Sequence, residues 1–434
     1  MSKIRVIGAG LAGCEAANTL AGLGHEVVLY EQKPNRRSAA HKLDGFAELV
    51  CSNSLKAARV DSAAGLLKAE MRLLGSVCLE VADTCSVAAG GALAVDRNLF
   101  SEGVTRRIKA NPNIEIVFEE ATFIDTEIPT VIASGPLTDG GLADSLFGLC
   151  EESSLSFFDA AAPIIAAESI DMSKVYAASR YGKGDDDYLN CYFDKSGYEQ
   201  FQEQLVNAES APMHDFDFKV YEGCMPIEKL AKRGRDAMRF GPMKPVGLVN
   251  PETGHRPWAA VQLRRENTEG TMFNMVGFQT NLKFSEQKRV FSMIPGLENA
   301  EFVRYGVMHR NSFINSPKVL NITLNFKNHK NIFVAGQLTG FEGYMESAGC
   351  GIMAAKFMHD FLTGKESAIP SANTMLGALL RYITTENKDF QPLGANMGIL
   401  PPLSEQVRDK RLRYEALADR GLKDMREYRD ENSN

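Results

Sequence analysis

Residues 3–31 carry the feature that most constrains the fold, a strand and a helix joined by a glycine-rich turn. Residues 4–7 are mostly apolar and β-branched, which is typical of a buried strand. Gly8, Gly10 and Gly13 follow at G-x-G-x-x-G spacing. In such a turn the first glycine permits a tight bend, the second lets the backbone approach a pyrophosphate, and the third lets the helix pack close to the strand. The pattern therefore predicts a nucleotide site.

The residues after this turn complete the nucleotide-binding unit. Apolar residues between 14 and 23 recur with a helical period, and Gly24 stands where a helix would end. A second strand over residues 27–30 is followed by Glu31, a carboxylate at the position that binds ribose hydroxyls, while the amides of the helix N-terminus face the phosphates. The predicted cofactor contacts of this unit are Gly8, Ala9, Gly10, Leu11, Ala12, Gly13 and Glu31.

Composition limits the class of protein. A length of 434 residues predicts two or three domains, and 44% hydrophobic with 24% charged residues is typical of a globular protein. The N-terminus leads directly into a strand and no apolar run could span a bilayer, so we expect no leader and no membrane partner. The eight cysteines lack metal-ligand spacing, which predicts a reducing compartment, the cytoplasm, and no metal site. The net charge of −7 argues against a general nucleic-acid coat but permits a local basic surface.

Cys51 is the first candidate reactive residue. It precedes Ser52, Asn53 and Ser54, which are favourable helix N-cap residues, and a helix is expected over about residues 61–74. A thiol at a helix entrance has a lowered pKa. The alternative is a small core residue, which is the usual role of a cysteine.

Residues 157–282 differ in character and predict an inserted domain. Turn residues crowd the segment 181–187, and aromatic, β-branched runs such as residues 188–193 predict strands. Cys224 lies between a glycine and a Met-Pro pair, which places it on a loop, where reactive groups are common. It is the second candidate thiol.

The inserted domain also contains the densest basic segment of the chain. Nine cations face only three acids, Glu228, Asp236 and Glu252. The cations are Lys229, Lys232, Arg233, Arg235, Arg239, Lys244, Arg256, Arg264 and Arg265. This ratio in an acidic protein favours a phosphate-rich partner, and the alternative is an ordinary solvated face.

A second glycine-rich turn follows a predicted strand at residues 331–335, and a helix is expected over 352–363. The two turns are more than 300 residues apart, which favours FAD, whose two ends such turns would hold, over NAD. The predicted cofactor contacts of the second turn are Gly336, Gln337, Gly343, Tyr344 and Glu346.

These observations predict an α/β fold in which a Rossmann-like FAD-binding domain, a parallel sheet flanked by helices, carries an inserted α+β domain. We expect the FAD-binding domain to comprise residues 1–156 and 283–434, the latter including C-terminal helices, with the insertion at residues 157–282.

Several motifs together resemble the glucose-inhibited division protein A superfamily, over essentially the whole chain. They are GAGLAGCEAA at 8–17, CSNS at 51–54, EGCMP at 222–226, RYGVMHRN at 304–311 and the glycine-rich stretch from GQLTG at 336–340 to Gly351. Within the superfamily the sequence is similar to the bacterial tRNA (uracil-5-)-methyltransferases that depend on folate and FAD.

The resemblance implies methylation of uridine 54 in the tRNA T-loop, with carbon from 5,10-methylenetetrahydrofolate and reducing equivalents from NAD(P)H through FAD. It matches Cys51 and Cys224 to the functional thiols of the family. We assign Cys224 to addition at uracil C6 and Cys51 to removal of the C5 proton, and the reverse assignment stays open. The basic segment would hold the tRNA backbone, and His309, Arg310 and Arg264 are candidates for folate or phosphate contacts, or for structural hydrogen bonds.

Three alternatives remain at this point. A wobble-uridine modification flavoprotein of the same superfamily would have an extra C-terminal helical domain, for which a chain ending at Asn434 leaves no room. It would also have a partner GTPase, whereas for this chain we expect no obligate protein partner. A non-catalytic flavoprotein that binds tRNA or senses redox state would need no thiol at the flavin. The third alternative is a non-methylating NAD(P)H-dependent flavin reductase or disulfide reductase, and the lack of a redox cysteine pair near the first helix counts against it.

Overall fold

The structure is a computed structural model that describes residues 3–38, 40–150, 155–182, 185–211, 225–387 and 390–432, with the backbone alone described at 155–160 and 309–310. The strands in these ranges are β1 (Ile4–Ile7), β2 (Val27–Tyr30), β3 (Ser54–Ala57), β4 (Ser86–Val87), β5 (Ala92–Val95), β6 (Ile114–Val117), β7 (Thr130–Ile132), β8 (Leu155–Ala160), β9 (Ile164–Ala166), β10 (Val175–Ala177), β11 (Tyr188–Phe193), β12 (Ala259–Arg265), β13 (Met272–Met275), β14 (Phe302–Arg304), β15 (Met308–Phe313) and β16 (Ile332–Val334).

The α-helices are α1 (Leu11–Gly22), α2 (Ala63–Leu73), α3 (Val77–Thr84), α4 (Arg97–Lys109), α5 (Gly140–Leu149), α6 (Lys195–Asn207), α7 (Ile227–Lys232), α8 (Phe284–Phe291), α9 (Ser316–Val319), α10 (Tyr344–Thr363), α11 (Met375–Thr384) and α12 (Lys410–Glu431). Short 3-10 helices cover Ala167–Ser169, Arg180–Gly182, Ala237–Phe240, Gly336–Thr339 and Met397–Ile399. Within the described ranges, no helix is both long enough and apolar enough to cross a lipid bilayer.

The first unit is built on a five-stranded parallel sheet with the order β16-β7-β1-β2-β6. Its central strand β1 places Ile4 and Val6 on one face, where both are fully buried with α1 and α10. Ile7 faces the other way, into a separate core with α5. Because both faces of the sheet carry apolar side chains, helices must cover both of them. The predicted parallel sheet flanked by helices is confirmed.

Helices α1 and α10 pack unusually closely because small residues line their contact. A Cβ atom added at Gly351 in α10 would lie 2.2 Å from the carbonyl oxygen of Ala12. One added at Gly336, in the 3-10 helix that precedes α10, would lie 2.9 Å from the Ala12 Cβ. This contact brings the N-termini of both helices to one edge of the sheet. Two segments distant in sequence therefore meet there.

The second unit contains a six-stranded sheet with the order β10-β11-β12-β13-β9-β14, in which every pair is antiparallel. Helices α6, α7 and α8 cover it, and Phe201, Phe278 and Phe291 are fully buried between them. Since β14 belongs to this sheet, the unit extends past residue 282, where the sequence-based border lies. The strands β8 and β15 pair with each other where the chain enters and leaves the unit.

Candidate active site

A cleft with about 1250 Å³ of empty space opens at the carboxyl ends of strands β1, β2, β7 and β16. Carboxyl strand ends are where ligands bind in sheets of this kind. Of the predicted cofactor contacts, those that line the cleft are Gly8, Ala9, Gly10, Leu11, Ala12, Glu31, Gly336, Gln337 and Tyr344. Gly13, Gly343 and Glu346 lie outside its lining.

The three glycines of the first turn differ in their surroundings. Gly8 has a φ of +99°, and a Cβ atom there would lie 2.7 Å from the carbonyl oxygen of Ala133. A Cβ atom at Gly13 would lie 1.7 Å from the carbonyl oxygen of Gly8. A Cβ atom at Gly10 would meet nothing within 4 Å, because Gly10 faces open space in the cleft. Gly8 and Gly13 therefore serve the turn and the packing, while Gly10 leaves room for a close ligand.

Glu31 presents its carboxylate to the cleft although only 6% of the residue is exposed. One carboxylate oxygen accepts a hydrogen bond from the Ala9 amide at 3.0 Å, and the other accepts one from the Lys33 amide at 2.9 Å. Each oxygen of a carboxylate can accept more than one hydrogen bond. The two amides thus fix Glu31 while leaving it able to accept from the hydroxyls of a ribose.

The second glycine-rich turn forms the opposite wall. Gly336 has a φ of +78° and Gly343 has a φ of +121°, and Gly343 is the N-cap residue of α10. The side-chain amide of Gln337 donates to the Glu342 carboxylate at 2.6 Å. Tyr344, the first residue of α10, lines the cleft. The N-terminal turns of α1 and α10 therefore both border the same space.

Glu346 lies behind the wall of the cleft that the second glycine-rich turn forms, outside the lining itself. Its carboxylate pairs with the Lys56 ammonium group at 2.6 Å and accepts from the Ala395 amide at 3.0 Å. Its side chain is 1% exposed. In this arrangement Glu346 holds two neighbouring segments against α10.

Cys51 lies next to the cleft on the loop that follows Val50, itself a lining residue. The hydroxyl oxygen of Tyr344 accepts hydrogen bonds from the Cys51 amide at 2.6 Å and from the Ser52 amide at 3.1 Å. Burial raises the pKa of Tyr344, and the charge of Cys51 raises it further. The same tyrosine thus borders the cofactor cleft and holds the backbone of the candidate thiol.

The prediction that Cys51 stands at a helix entrance is wrong. Residues 54–57 form β3, which pairs with β5, and the next helix begins only after its N-cap residue Ser62. Asn53 does not cap a helix, because its side-chain amide donates to the carbonyl oxygens of Val95 at 3.0 Å and Arg265 at 2.9 Å. The expected effect of the α2 dipole on this thiol therefore has no structural basis.

Two arginines supply positive charge near Cys51 instead. Arg97 donates to the Leu49 carbonyl oxygen and Arg304 to that of Val50. Burial lowers the pKa of Arg304, as does the charge of Arg97, whereas Cys51 is among the groups that raise it. The pKa of Arg97 is raised overall, because Glu266 and other groups outweigh the effect of burial. Both arginines are therefore close enough to Cys51 to interact with it electrostatically.

The inserted unit contributes to the Cys51 loop through Arg264. Its guanidinium group donates to the Asn53 side-chain oxygen at 3.0 Å and to the Ser52 hydroxyl at 2.8 Å. Arg264 is only 6% exposed, so its side chain lies in the interior, where it holds this loop. Of the two roles considered for Arg264, the structure supports the structural one.

A family model described as glucose inhibited division protein A matches residues 3–366. The chain belongs to this family. Among curated relatives, proteins of Acetivibrio thermocellus, Caldicellulosiruptor bescii and Halalkalibacterium halodurans are 55%, 54% and 52% identical, each over 98% of this chain and 98% of the relative. All three are named methylenetetrahydrofolate--tRNA-(uracil-5-)-methyltransferase TrmFO.

Among solved structures, GidA of Aquifex aeolicus in its form II crystal is similar with a TM-score of 0.71 at 17% identity. The match covers 98% of this chain and 73% of that one. At this identity the similarity concerns the fold, and it agrees with the predicted FAD-binding domain of the glucose-inhibited division protein A family.

Parts of the predicted site lie outside the described residues. Cys224 belongs to the segment 212–224, and the side chains of His309 and Arg310 are likewise outside the description. The roles predicted for these residues stay predictions. Within the ranges that are described, no three side chains of His, Cys, Asp or Glu are grouped so as to hold a metal ion.

Several residues of the site carry no recognisable signal in the sequence. Arg36 lines the cleft and pairs with Glu120 and, at 2.8 Å, with Asp139, so it connects two edges of the opening. The sequence likewise does not indicate that Arg97 and Arg304 contact the Cys51 loop. Isolated arginines carry no local pattern, since their partners lie far away in sequence.

The basic segment divides between surface and interior. Its members with exposed side chains are Lys232, Arg233, Arg235, Lys244, Arg256 and Arg265. Two of the three acids within the segment are engaged: Glu228 is 2% exposed and accepts from Thr280 and Asn281, and Asp236 pairs with Arg239 at 2.7 Å. The described charged side chains at the surface of this segment are therefore mostly cationic.

Proposed function

We propose that this protein methylates C5 of uridine 54 in the tRNA T-loop, with carbon from 5,10-methylenetetrahydrofolate and electrons from NAD(P)H. The main observation in support of the proposal is that one side chain, that of Tyr344, contacts both the cofactor cleft and the loop of the candidate thiol. Tyr344 lines a cleft suited to a dinucleotide, and its hydroxyl oxygen lies 2.6 Å from the amide nitrogen of Cys51. The names of the relatives, which are 52–55% identical over 98% of the chain, support the same activity.

The residues of the cleft fit FAD. Open space at Gly10 suits a pyrophosphate, Glu31 suits the ribose hydroxyls, and the N-terminal turns of α1 and α10 supply amide donors at separate points of the opening. When bound, FAD would carry the electrons by which the transferred carbon becomes a methyl group.

The thiols perform the chemistry on uracil. C5 is a weak nucleophile, so a thiolate first adds to C6, and the electrons of the C5–C6 double bond move onto the C4 carbonyl as an enolate. C5 then forms the bond to the one-carbon unit, and a base takes the C5 proton while the bond from that carbon to its donor nitrogen breaks, which leaves an exocyclic methylene on C5. Two electrons that originate from NAD(P)H, together with a proton, convert this methylene into the methyl group, and the C6–S bond breaks to return the thiolate. We assign the addition to Cys224 and the proton to Cys51, with the exchanged roles as the alternative.

The protein must also hold the tRNA and expose its uridine. A base inside a stacked loop cannot reach a thiol of the protein unless it leaves the stack. The exposed cations of the basic segment are suited to phosphates, which position the substrate without reading its sequence. Folate, NAD(P)H and tRNA occur together in the cytoplasm, which we propose as the location.

The proposal is tested by supplying purified protein with unmodified tRNA transcript, NADPH and methylenetetrahydrofolate labelled in its one-carbon unit. We expect label at C5 of the T-loop uridine. Label at the wobble uridine of the anticodon would favour the other activity of the superfamily. NADPH oxidation with bound FAD but no labelled tRNA would leave a non-methylating flavoprotein.

A further inference from the structure

Phe240 has an environment that the methylation chemistry does not explain. It is 86% exposed, the highest value among the exposed large apolar side chains of the described residues. It ends the 3-10 helix Ala237–Phe240, whose residue Met238 is fully buried in the core of the inserted unit. One side of this short helix is therefore anchored while the other holds an aromatic ring in solvent.

The turn that carries Phe240 is fixed by its neighbour Arg239. The Arg239 guanidinium group lies 3.7 Å from the centre of the Trp258 ring and donates to the Trp258 carbonyl oxygen at 2.9 Å. It also pairs with Asp236 at 2.7 Å. The Met243 amide closes the turn by donating to the Met238 carbonyl oxygen at 2.9 Å. Phe240 is thus presented on a braced turn, which reduces the entropy lost when a ligand binds.

The segment that carries Phe240 contains several exposed cations. Lys232, Arg235 and Lys244, which are close to Phe240 in sequence, have exposed side chains. The 3-10 helix lies against α7, since a Cβ atom at Gly241 would contact Leu230 at 3.4 Å. Of the acids in the described part of this region, Glu228 is buried and accepts from Thr280 and Asn281, and Asp236 pairs with Arg239. One exposed ring beside three cations is too small and too charged for a hydrophobic protein interface.

A ring flanked by cations is suited to nucleic acid, in which every base offers a flat face and every nucleotide a phosphate. We propose that Phe240 stacks on an accessible base of the tRNA substrate while the neighbouring cations hold the adjacent phosphates. The inference rests on the proposed function, because it takes tRNA as the partner. It adds a contact that depends on an aromatic face and not on charge.

The test measures the affinity of the FAD-loaded full-length protein for unmodified tRNA transcript over a range of salt concentrations. We expect Phe240→Ala to weaken binding roughly tenfold, the order expected for one lost stacking contact. The slope of log Kd against log salt should not change, because no ion pair is lost. Phe240→Trp should restore affinity, and its added indole fluorescence should be quenched by tRNA. Lys244→Ala should instead reduce the salt slope.

Phe123→Ala is the matched control, since Phe123 is 69% exposed but lies in the FAD-binding unit. It should leave the affinity unchanged. The stacking contact would be overturned if Phe240→Ala bound tRNA as tightly as the wild type, or if Phe240→Trp did not restore the lost affinity. The proposed methylation activity would stand in both cases. A wild type that neither binds nor methylates tRNA would overturn the proposed function as well. Dissociation of a dimer by Phe240→Ala, with tRNA affinity unchanged, would assign the ring to a second copy of the chain.

Discussion

At the scale of single residues, Tyr344 connects the cofactor cleft to the candidate thiol. Tyr344 is among the residues predicted from sequence to contact the cofactor, and it lines the cleft. Its bonds to the amides of Cys51 and Ser52 could not be predicted, because 293 positions separate Tyr344 from Cys51 and no periodic pattern connects them. Long-range side-chain contacts of this kind depend on the finished fold.

Tyr344→Phe removes the oxygen that accepts from two amides. Because those donors are then left without this acceptor in a partly buried loop, we expect the free energy of unfolding to fall by about 1–3 kcal/mol. Methyl transfer should slow while FAD is retained, since the ring stays in place. Chemical denaturation and single-turnover rates measure both effects, with Tyr414→Phe on α12 as control. Unchanged stability and rate would show that the hydroxyl does not order the loop.

Lys68 gives a prediction about pH. Its ammonium group donates to the Leu55 carbonyl oxygen at 2.7 Å, and burial lowers the pKa of Lys68 from 10.5 to about 8. Between these two values the unfolded chain binds more protons than the folded one, so the free energy of unfolding rises with pH over this window. The rise should reach at most about 3 kcal/mol.

Denaturation curves between pH 7.5 and 10.5 test the role of Lys68 directly. Lys68→Met should lose this rise, whereas Lys423→Met, at a side chain that is 75% exposed, should keep it. The same rise in Lys68→Met as in the wild type would place its origin in other groups.

At the scale of elements, the errors of prediction share a cause. The helix expected over 352–363 begins at Tyr344, because Gly349 and Gly351, which look like turn residues, lie inside α10 where it packs on its neighbours. Helix propensity alone disfavours glycine there, and close packing overrides it. The Ser52–Ser54 run resembles a helix N-cap in sequence, but the tertiary contacts of Asn53 decide its conformation.

Gly351→Ala tests the contact between α1 and α10. The added Cβ atom would lie 2.2 Å from a backbone oxygen that cannot rotate away, so the helices must separate. We expect a loss of about 1–3 kcal/mol in the free energy of unfolding, with weaker FAD retention. Gly22→Ala in α1, where a Cβ atom meets nothing within 4 Å, should be neutral or stabilising. Equal stability of the two variants would contradict the close packing.

At the scale of the whole molecule, the predictions of the family and of an α/β fold with a parallel FAD-binding sheet are confirmed. These features follow from local patterns that a sequence displays, namely glycine spacing and buried strands. How the two units meet could not be predicted in the same way. The contact depends on single side chains such as Arg264, which on sequence alone belongs to a basic segment but in the fold holds the Cys51 loop.

Arg264 and Arg265 are neighbours on β12 with opposite surroundings, one buried and one exposed. Arg264→Ala should release the Cys51 loop and reduce the rate of methyl transfer, with little change in the salt dependence of tRNA binding. Arg265→Ala should weaken tRNA binding modestly and lower the salt slope, without changing the rate at saturating tRNA. Kinetics and binding isotherms on both variants measure the contrast. Identical behaviour of the two would contradict the division between loop support and tRNA surface.

The most direct measurement of the central claim is label transfer from methylenetetrahydrofolate to the T-loop uridine in cysteine variants that retain FAD. Cys51→Ala and Cys224→Ala should each lose activity, and loss of a proton-removing group alone is worth about 10²–10⁴-fold. Cys85→Ala, at a thiol that is 7% exposed and outside the cleft, should stay active. Wild-type transfer by both Cys51→Ala and Cys224→Ala would contradict the proposal that the loop beside the FAD cleft is part of the reaction centre.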